Sequence, residues 1–409
     1  MATVLERVLP PDWRPVLEKV RRGERLSGEE GLRLLTSNRL TPLGALADEA
    51  RRLRAGDQVY FNNNAHINYS NVCAIHCRFC AFGKSRNHPE GYAYSIGQIV
   101  EKAAAYARLG VTEFHMVGGL HPDLPFDWYL DMLRAVKAAA PEAHLKCFTA
   151  IEMLHFSKIS GLPLEEVLSR LKEAGLGSMP GGGAEIFAPR VRNIICKPKE
   201  TAEEWLWVHD TAHSLGIKSN ATMLYGHVER PEEIIDHLLR LREQQDRSGG
   251  FQAFIPLAFH PANTDLSDLP GPTGYLDLRV VAVARLLLDN FRFIKSYWVM
   301  MSPRMAQISL AFGANDVDGT VREEKIYHMA GAVTPQLQTP EELLSLIWEA
   351  GRIPAERDTL YNVIHEYPAR PPEGWRPLLV GDAAAAADVA PSGPPSVPLT
   401  LTDLEEVEA

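Results

Sequence analysis

Three of the five cysteines in this 409-residue chain, Cys73, Cys77 and Cys80, stand at spacing Cys-x3-Cys-x2-Cys, with Phe79 directly before the last. Thiolates set this close bind soft metals or iron–sulfur clusters. Three ligands leave one metal position open, as expected of a metal that meets a substrate instead of stapling a fold. Two plainer readings compete. Positions i, i+4 and i+7 share one face of a helix, so the trio could be a buried apolar stripe. Asn71 before it, Arg78 inside it and Gly83-Lys84 after it point instead to a loop leaving a strand. A structural zinc completed by His76 or His88 would come as two short ligand pairs, and this stretch has no such pairing. Cys147 and Cys196 read as packing residues.

The elements that must position these thiols alternate regularly. Residues 1–55 read as short helices, and strand-like apolar runs then alternate with helices from about Val59. Ser95 caps a helix that ends at Gly110, and strand 113–117 runs into Gly118-Gly119. Helix 127–139 precedes strand 144–150, and helix 164–174 precedes a strand entering Pro180-Gly-Gly-Gly183. Thr201-Ala-Glu-Glu204 is a capping box. Strand 219–225 follows, and Pro231 then opens a helix at its first turn. Strand 251–259, helix 275–290 and strand 293–300 complete about eight units, the pattern of an α/β (β/α)8 TIM-type barrel. A doubly wound open sheet is the alternative. The expected organisation is an N-terminal helical extension over 1–55, a barrel over 56–370 and a disordered tail over 381–409, where alanine, proline and acidic residues accumulate.

The barrel reading gives the remaining polar residues a common address, because such folds place their chemistry at the C-terminal ends of the strands. Gly118, Gly119, Glu152, the 180–185 segment with Glu185, Tyr225 through Glu229, and His260 all follow strands. His227 and His260 are candidate proton relays. Arg190, Arg279 and Arg304 are candidate partners for acidic substrate groups. His115, on an apolar strand, reads as an ordinary barrel residue. A net charge of -10 argues against a nucleic-acid binder. The N-terminus lacks the apolar stretch of a signal peptide, and the longest apolar run, 280–288, is broken by Arg285. Reduced thiols in a cytoplasm and no membrane span are therefore expected.

The cysteine spacing with its aromatic residue resembles the radical S-adenosylmethionine superfamily. That resemblance implies a [4Fe–4S] cluster held by Cys73, Cys77 and Cys80, with S-adenosylmethionine on the fourth iron. Gly118-Gly119 stands where the superfamily has Gly-Gly-Glu, here with Leu120 in the third place. The segment 222–229 resembles the fifth-strand stretch that lies against adenine. Phe79, Gly118, Gly119, Glu152, Glu185 and Tyr225 are thereby cofactor-binding candidates.

A narrower likeness rests on Val-Gly-Gly-Leu-His-Pro (117–122), Phe-Thr-Ala-Ile-Glu (148–152), 178–187 and Phe-Gln-Ala-Phe-Ile-Pro-Leu (251–257). These segments are similar to the menaquinone and deazaflavin branch, and most of all to the aminofutalosine synthases. The likeness implies a transferase that consumes S-adenosylmethionine as co-substrate. Its adenosyl radical would add to 3-[(1-carboxyvinyl)oxy]benzoate, and rearrangement with decarboxylation would give 6-amino-6-deoxyfutalosine. A low-potential donor such as flavodoxin or ferredoxin would supply the electron. Sister activities are cyclisation of dehypoxanthine futalosine and synthesis of the deazaflavin precursor. An iron–sulfur electron carrier and a zinc-stapled scaffold are the non-enzyme alternatives.

Overall fold

Residues 4–375 are described in a computed structural model of the chain, and the tail expected to be disordered lies outside them. Helices Val4–Val8, Arg14–Arg22, Gly28–Leu35 and Leu40–Ala55 come first. The last of these buries Leu43, Leu46, Ala47 and Ala50, a stripe at helical spacing that meets helix Gly274–Leu287.

Among the described residues eleven strands follow: β1 (Gln58–Asn62), β2 (Asn64–Ile67), β3 (Glu113–Met116), β4 (His144–Cys147), β5 (Ser178–Met179), β6 (Lys218–Tyr225), β7 (Phe251–Ala258), β8 (Phe293–Ile294), β9 (Asp316–Gly319), β10 (Ile353–Arg357) and β11 (Val363–Glu366). Strands β2 to β8 form one sheet in chain order, parallel at every step. Helices return the chain between them, among them Ile96–Arg108, Phe126–Ala139, Ala202–Ser214, Pro231–Ser248 and Gly274–Leu287. The helix starts are encoded locally: Ser95 with Gln98, and Thr201 with Glu204, form reciprocal capping boxes.

Two strand-like runs behave differently from the sequence expectation. The run from Val59 breaks at Asn63 into β1 and β2, which belong to different sheets. The run from Phe293 pairs for only two residues, because Trp298–Met301 turns helical. Closure then falls to the polar 313–319 segment. Its strand β9 lies beside β1 in a second sheet ordered β11-β10-β1-β9, and it also bridges both edges of the first. On the β8 side Asn315 N–H donates to Ile294 O (3.0 Å), and Ser296 N–H donates to Asp316 O (2.7 Å). On the β2 side His66 N–H donates to Arg322 O (2.8 Å), and Asn64 N–H donates to Thr320 Oγ1 (3.0 Å). The barrel is thus completed by residues 315–322.

Buried charge pairs pin this closure. Arg357 Nε meets Asp316 Oδ2 at 2.7 Å with both side chains fully buried, and Lys295 meets Asp318 at 2.9 Å. Arg285, which interrupts the apolar run 280–288, is also buried. It donates to Gly313 O at 2.7 Å and to Asn315 Oδ1 at 2.6 Å, holding the turn into β9. Among the described residues no helix is long and apolar enough to cross a membrane.

Removing one member of a buried ion pair strands the other charge. Asp316→Ala is therefore expected to lower unfolding free energy by about 3–5 kcal/mol, whereas Asp131→Ala, which removes the exposed partner of Arg134, should change it by about 1 kcal/mol or less. Urea titrations of the two variants check the contrast.

Candidate active site

A cavity of about 260 Å³ opens at the C-terminal ends of the strands and runs down into the barrel. Its upper wall is the segment that leaves β2. This segment is a loop, as the flanks of the cysteine trio imply, and neighbouring backbone holds it. Cys73 N–H donates to Lys84 O (2.8 Å), Ala74 N–H to Leu120 O (2.8 Å) and Arg78 N–H to Ile195 O (2.8 Å). Asn71 braces the return of the loop, accepting from Tyr92 N–H at 2.7 Å and donating to Glu90 O at 2.9 Å. Cys73, Cys77, Cys80 and Phe79 all line the cavity. Gly83 N–H donates to Cys80 Sγ at 3.4 Å. Burial pushes the Cys77 and Cys80 thiols above their ordinary range.

Gly118 and Gly119 line the cavity beside the thiols. Both are glycine because of close approach: a Cβ on Gly118 would fall 2.6 Å from the Tyr69 ring, and one on Gly119 would collide with the Val72 carbonyl. Gly119 N–H donates to Ser70 O (2.8 Å). Glu152 accepts from Gly118 N–H (3.2 Å), from Thr149 N–H (2.7 Å) and from the Tyr69 hydroxyl, so its carboxylate ties the glycine pair to helix Ala150–Ser160. Burial raises the Glu152 carboxyl against those bonds.

Glu185 also lines the cavity and forms an ion pair with Lys199. It sits at φ 44°, a left-handed backbone that a non-glycine residue adopts only under local constraint. Burial disfavours charge on Lys199, yet Glu185 and Glu200 outweigh it and hold the ammonium above its usual range. The ammonium lies 5.6 Å from the centre of the Phe79 ring. His260 lines the cavity, with Nε2–H donating to Met300 O at 3.0 Å. Burial lowers its pKa.

Other sequence candidates do not reach the cavity. Tyr225 is fully buried and donates to Asp277 at 2.7 Å, because its position in β6 faces the covering helix. His227 is buried beyond the strand end, with Nε2 bonded to Leu224 O at 3.0 Å. Arg190 is paired with Glu233, Arg304 is exposed, and Arg279 does not line the cavity. The cationic groups that do line it are Lys146, Lys199 and Lys295.

Deeper down, sequence reasoning missed several residues, and it set His115 aside as a plain barrel residue. Register places His66, His115 and Lys146 in one row across β2, β3 and β4. The two imidazoles stack at 4.5 Å between centroids with 10° between planes. Burial lowers the pKa of each; like charge from Lys146 acts in the same direction on both. Strict alternation in His66-Ile67 and Phe114-His115-Met116 carries the signal, since a barrel strand buries both faces and a polar inner face marks a lumen built for a ligand.

The donor set fits an iron–sulfur cluster. Three thiols share one cavity, an N–H is aimed at one sulfur, and open space adjoins them. Among the described residues no three His, Cys, Asp or Glu side chains are grouped as they would be around a single metal ion.

Comparison with known proteins gives the same class. Residues 67–241 match the Radical SAM superfamily, and residues 248–369 match the CofH/MqnC C-terminal region. The chain belongs to the radical SAM superfamily and is an enzyme of that kind, using a [4Fe–4S] cluster and S-adenosylmethionine. It is 49% identical to the aminodeoxyfutalosine synthase of Thermus thermophilus, over 86% of this chain and 95% of that protein. It is 44% identical to the aminodeoxyfutalosine synthase of Streptomyces coelicolor, over 87% and 94%. A 5-amino-6-(D-ribitylamino)uracil–L-tyrosine 4-hydroxyphenyl transferase of Methanopyrus kandleri is 42% identical over 78% and 88%. Among solved structures, methylornithine synthase superposes with a TM-score of 0.62 at 17% identity, covering 79% of this chain and 88% of its own, a likeness of fold.

Because a side chain at position 119 would force apart the glycine segment and the cysteine loop, Gly119→Ala is expected to fold but to retain markedly less iron than the parent. Iron and protein quantification after identical anaerobic purification measures this; parental iron content would show that the close approach is dispensable.

Proposed function

We propose that this chain is an aminodeoxyfutalosine synthase. It would join the adenosyl group of S-adenosylmethionine to 3-[(1-carboxyvinyl)oxy]benzoate, and release methionine and carbon dioxide, to form 6-amino-6-deoxyfutalosine. The observation that supports this reading best is the 49% identity spanning 95% of the Thermus protein of that name. The bound cluster supplies a low-potential electron to the sulfonium, which makes the adenosyl carbon reactive.

In this reading Cys73, Cys77 and Cys80 hold three irons, and Gly118-Gly119, fixed by Glu152, form the backbone edge for the methionine end of the cofactor. Glu185 and Phe79 stand close by, with the Glu185 carboxylate held by Lys199. Leu224, Ile255, Leu257 and Phe259 give the cavity an apolar wall that suits an aromatic ring and excludes water. His260 carries its hydrogen on Nε2, toward Met300 O, so Nδ1 is the atom able to accept a proton. Tyr225 and His227 have no contact with the reaction and serve the packing of β6. A flavodoxin or ferredoxin is the proposed electron source.

The hydroxyphenyl transferase relatives, at 42% identity, keep a second reading in view, with tyrosine and a ribitylaminouracil as substrates. Reduced enzyme, S-adenosylmethionine and the enol-ether benzoate are expected to yield the adenosyl adduct with little free 5′-deoxyadenosine. A Cys77→Ala variant should lose both the brown absorbance and the product. Mass spectrometry of the mixture decides: free 5′-deoxyadenosine alone, with turnover of tyrosine or of dehypoxanthine futalosine, would overturn the assignment.

A further inference from the structure

The histidines that line the cavity fall into two kinds. His76 is bonded to Asp265 and His260 to Met300 O. Buried histidines elsewhere are likewise engaged, His209 with Ser219 and His237 with Thr222 O. His66 and His115 differ: among the described residues neither ring has a hydrogen-bond partner, although His66 is only 6% exposed and both line the cavity. His115 is half-buried, and the ring nitrogens of both face the open cavity, where a ligand or water can complete them.

The surroundings indicate which ligand. Each carboxylate at this end of the cavity has at least one oxygen engaged. Glu113 Oε2 accepts from Lys146 (2.8 Å), Asn62 (3.0 Å) and Thr359 (2.7 Å), while its Oε1 is enclosed without a partner. Asp318 is paired with Lys295, and Glu324 accepts from the backbone N–H groups of Ile326 and Tyr327. The unpartnered groups that face the open cavity are therefore the two imidazoles, each with one N–H to donate, and Lys146 is next in the row. A ligand group that only accepts hydrogen bonds and carries negative charge fits them, and a carboxylate is such a group. The cofactor's own carboxylate is not the candidate. It belongs at the cysteine loop, which follows β2, whereas His66 and His115 lie within β2 and β3.

We propose that His66 and His115 form a subsite that binds a carboxylate of the second substrate, with Lys146 as its supporting charge. The identity of that substrate rests on the function proposed above; the subsite itself requires only that the substrate be a carboxylic acid.

The test is calorimetric titration of anaerobic, cluster-loaded enzyme with the enol-ether diacid, its dimethyl ester, L-tyrosine and S-adenosylmethionine. His66→Ala and His115→Ala are expected to weaken diacid binding on the order of tenfold to a hundredfold, leaving S-adenosylmethionine affinity unchanged and ester binding insensitive. His115→Gln, which keeps an N–H donor, should recover part of the loss. Parental diacid affinity in both alanine variants would overturn the subsite, as would equal loss of S-adenosylmethionine. If the parent binds tyrosine instead of the diacid, and the alanine variants lose tyrosine, the subsite stands and the synthase assignment falls.

Discussion

A curled sheet of seven parallel strands ends in two rows of unpaired backbone groups, and everything else in this molecule depends on how those rows are satisfied. Residues 315–322 serve both, accepting and donating to β8 on one side and to β2 on the other. One short strand cannot follow two edges with ideal geometry. The consequence is visible in the backbone: Asp318 at φ 70° and Val321 at φ 48° both take left-handed conformations, the second being exceptional for a β-branched residue. Such strain persists only where surrounding contacts over-determine it. Here they do, because Val321 N–H is held by Asn64 Oδ1 at 2.7 Å and Asp318 by Lys295.

Closure also decides what the cavity contains. The same segment that joins the edges brings Asp318 and Glu324 against Lys295 and the histidine pair. At the other end, Glu152 couples the glycine pair to the Tyr69 hydroxyl, so the strand preceding the cysteine loop and the glycine edge facing it are held by one carboxylate. The cofactor end and the deep end are thus positioned by different elements, the first by loops that follow strands and the second by the strands themselves.

Much of this was legible in the sequence where the signal is local. Cys73, Cys77 and Cys80 announce themselves by type and spacing, and the capping boxes at Ser95 and Thr201 need only four residues each. Gly118-Gly119 could be singled out, although its reason, the Tyr69 ring and the Val72 carbonyl, lies elsewhere in the chain. Non-local facts were hidden. Nothing in Gly313-Ala-Asn-Asp-Val-Asp-Gly319 marks a closing strand, since its pairing depends on edges far away in sequence and on the Asn315 side chain, which accepts from Ile294 N–H at 3.0 Å. The candidate arginines do not line the cavity: Arg190 is paired with Glu233, Arg304 is exposed, and the buried Arg285 and Arg357 are committed to the closing segment. His115 looked ordinary because its neighbours Phe114 and Met116 are apolar, yet in a barrel those neighbours face the helices.

That inward polarity is itself the argument for a ligand. A barrel interior is ordinarily filled by branched apolar side chains, and a buried ion pair gains little over such packing once desolvation is counted. Asp318 with Lys295 holds the closing segment, but Glu113 with Lys146 has no evident reason in stability alone. Together the two pairs leave Glu113 and Asp318 each matched to a lysine and the two imidazoles unpartnered. Burial disfavours charge on both imidazoles, which stack 4.5 Å apart, and so favours their offering an anion a neutral N–H donor. An apolar lumen would have made a firmer barrel with nothing to say to a carboxylate.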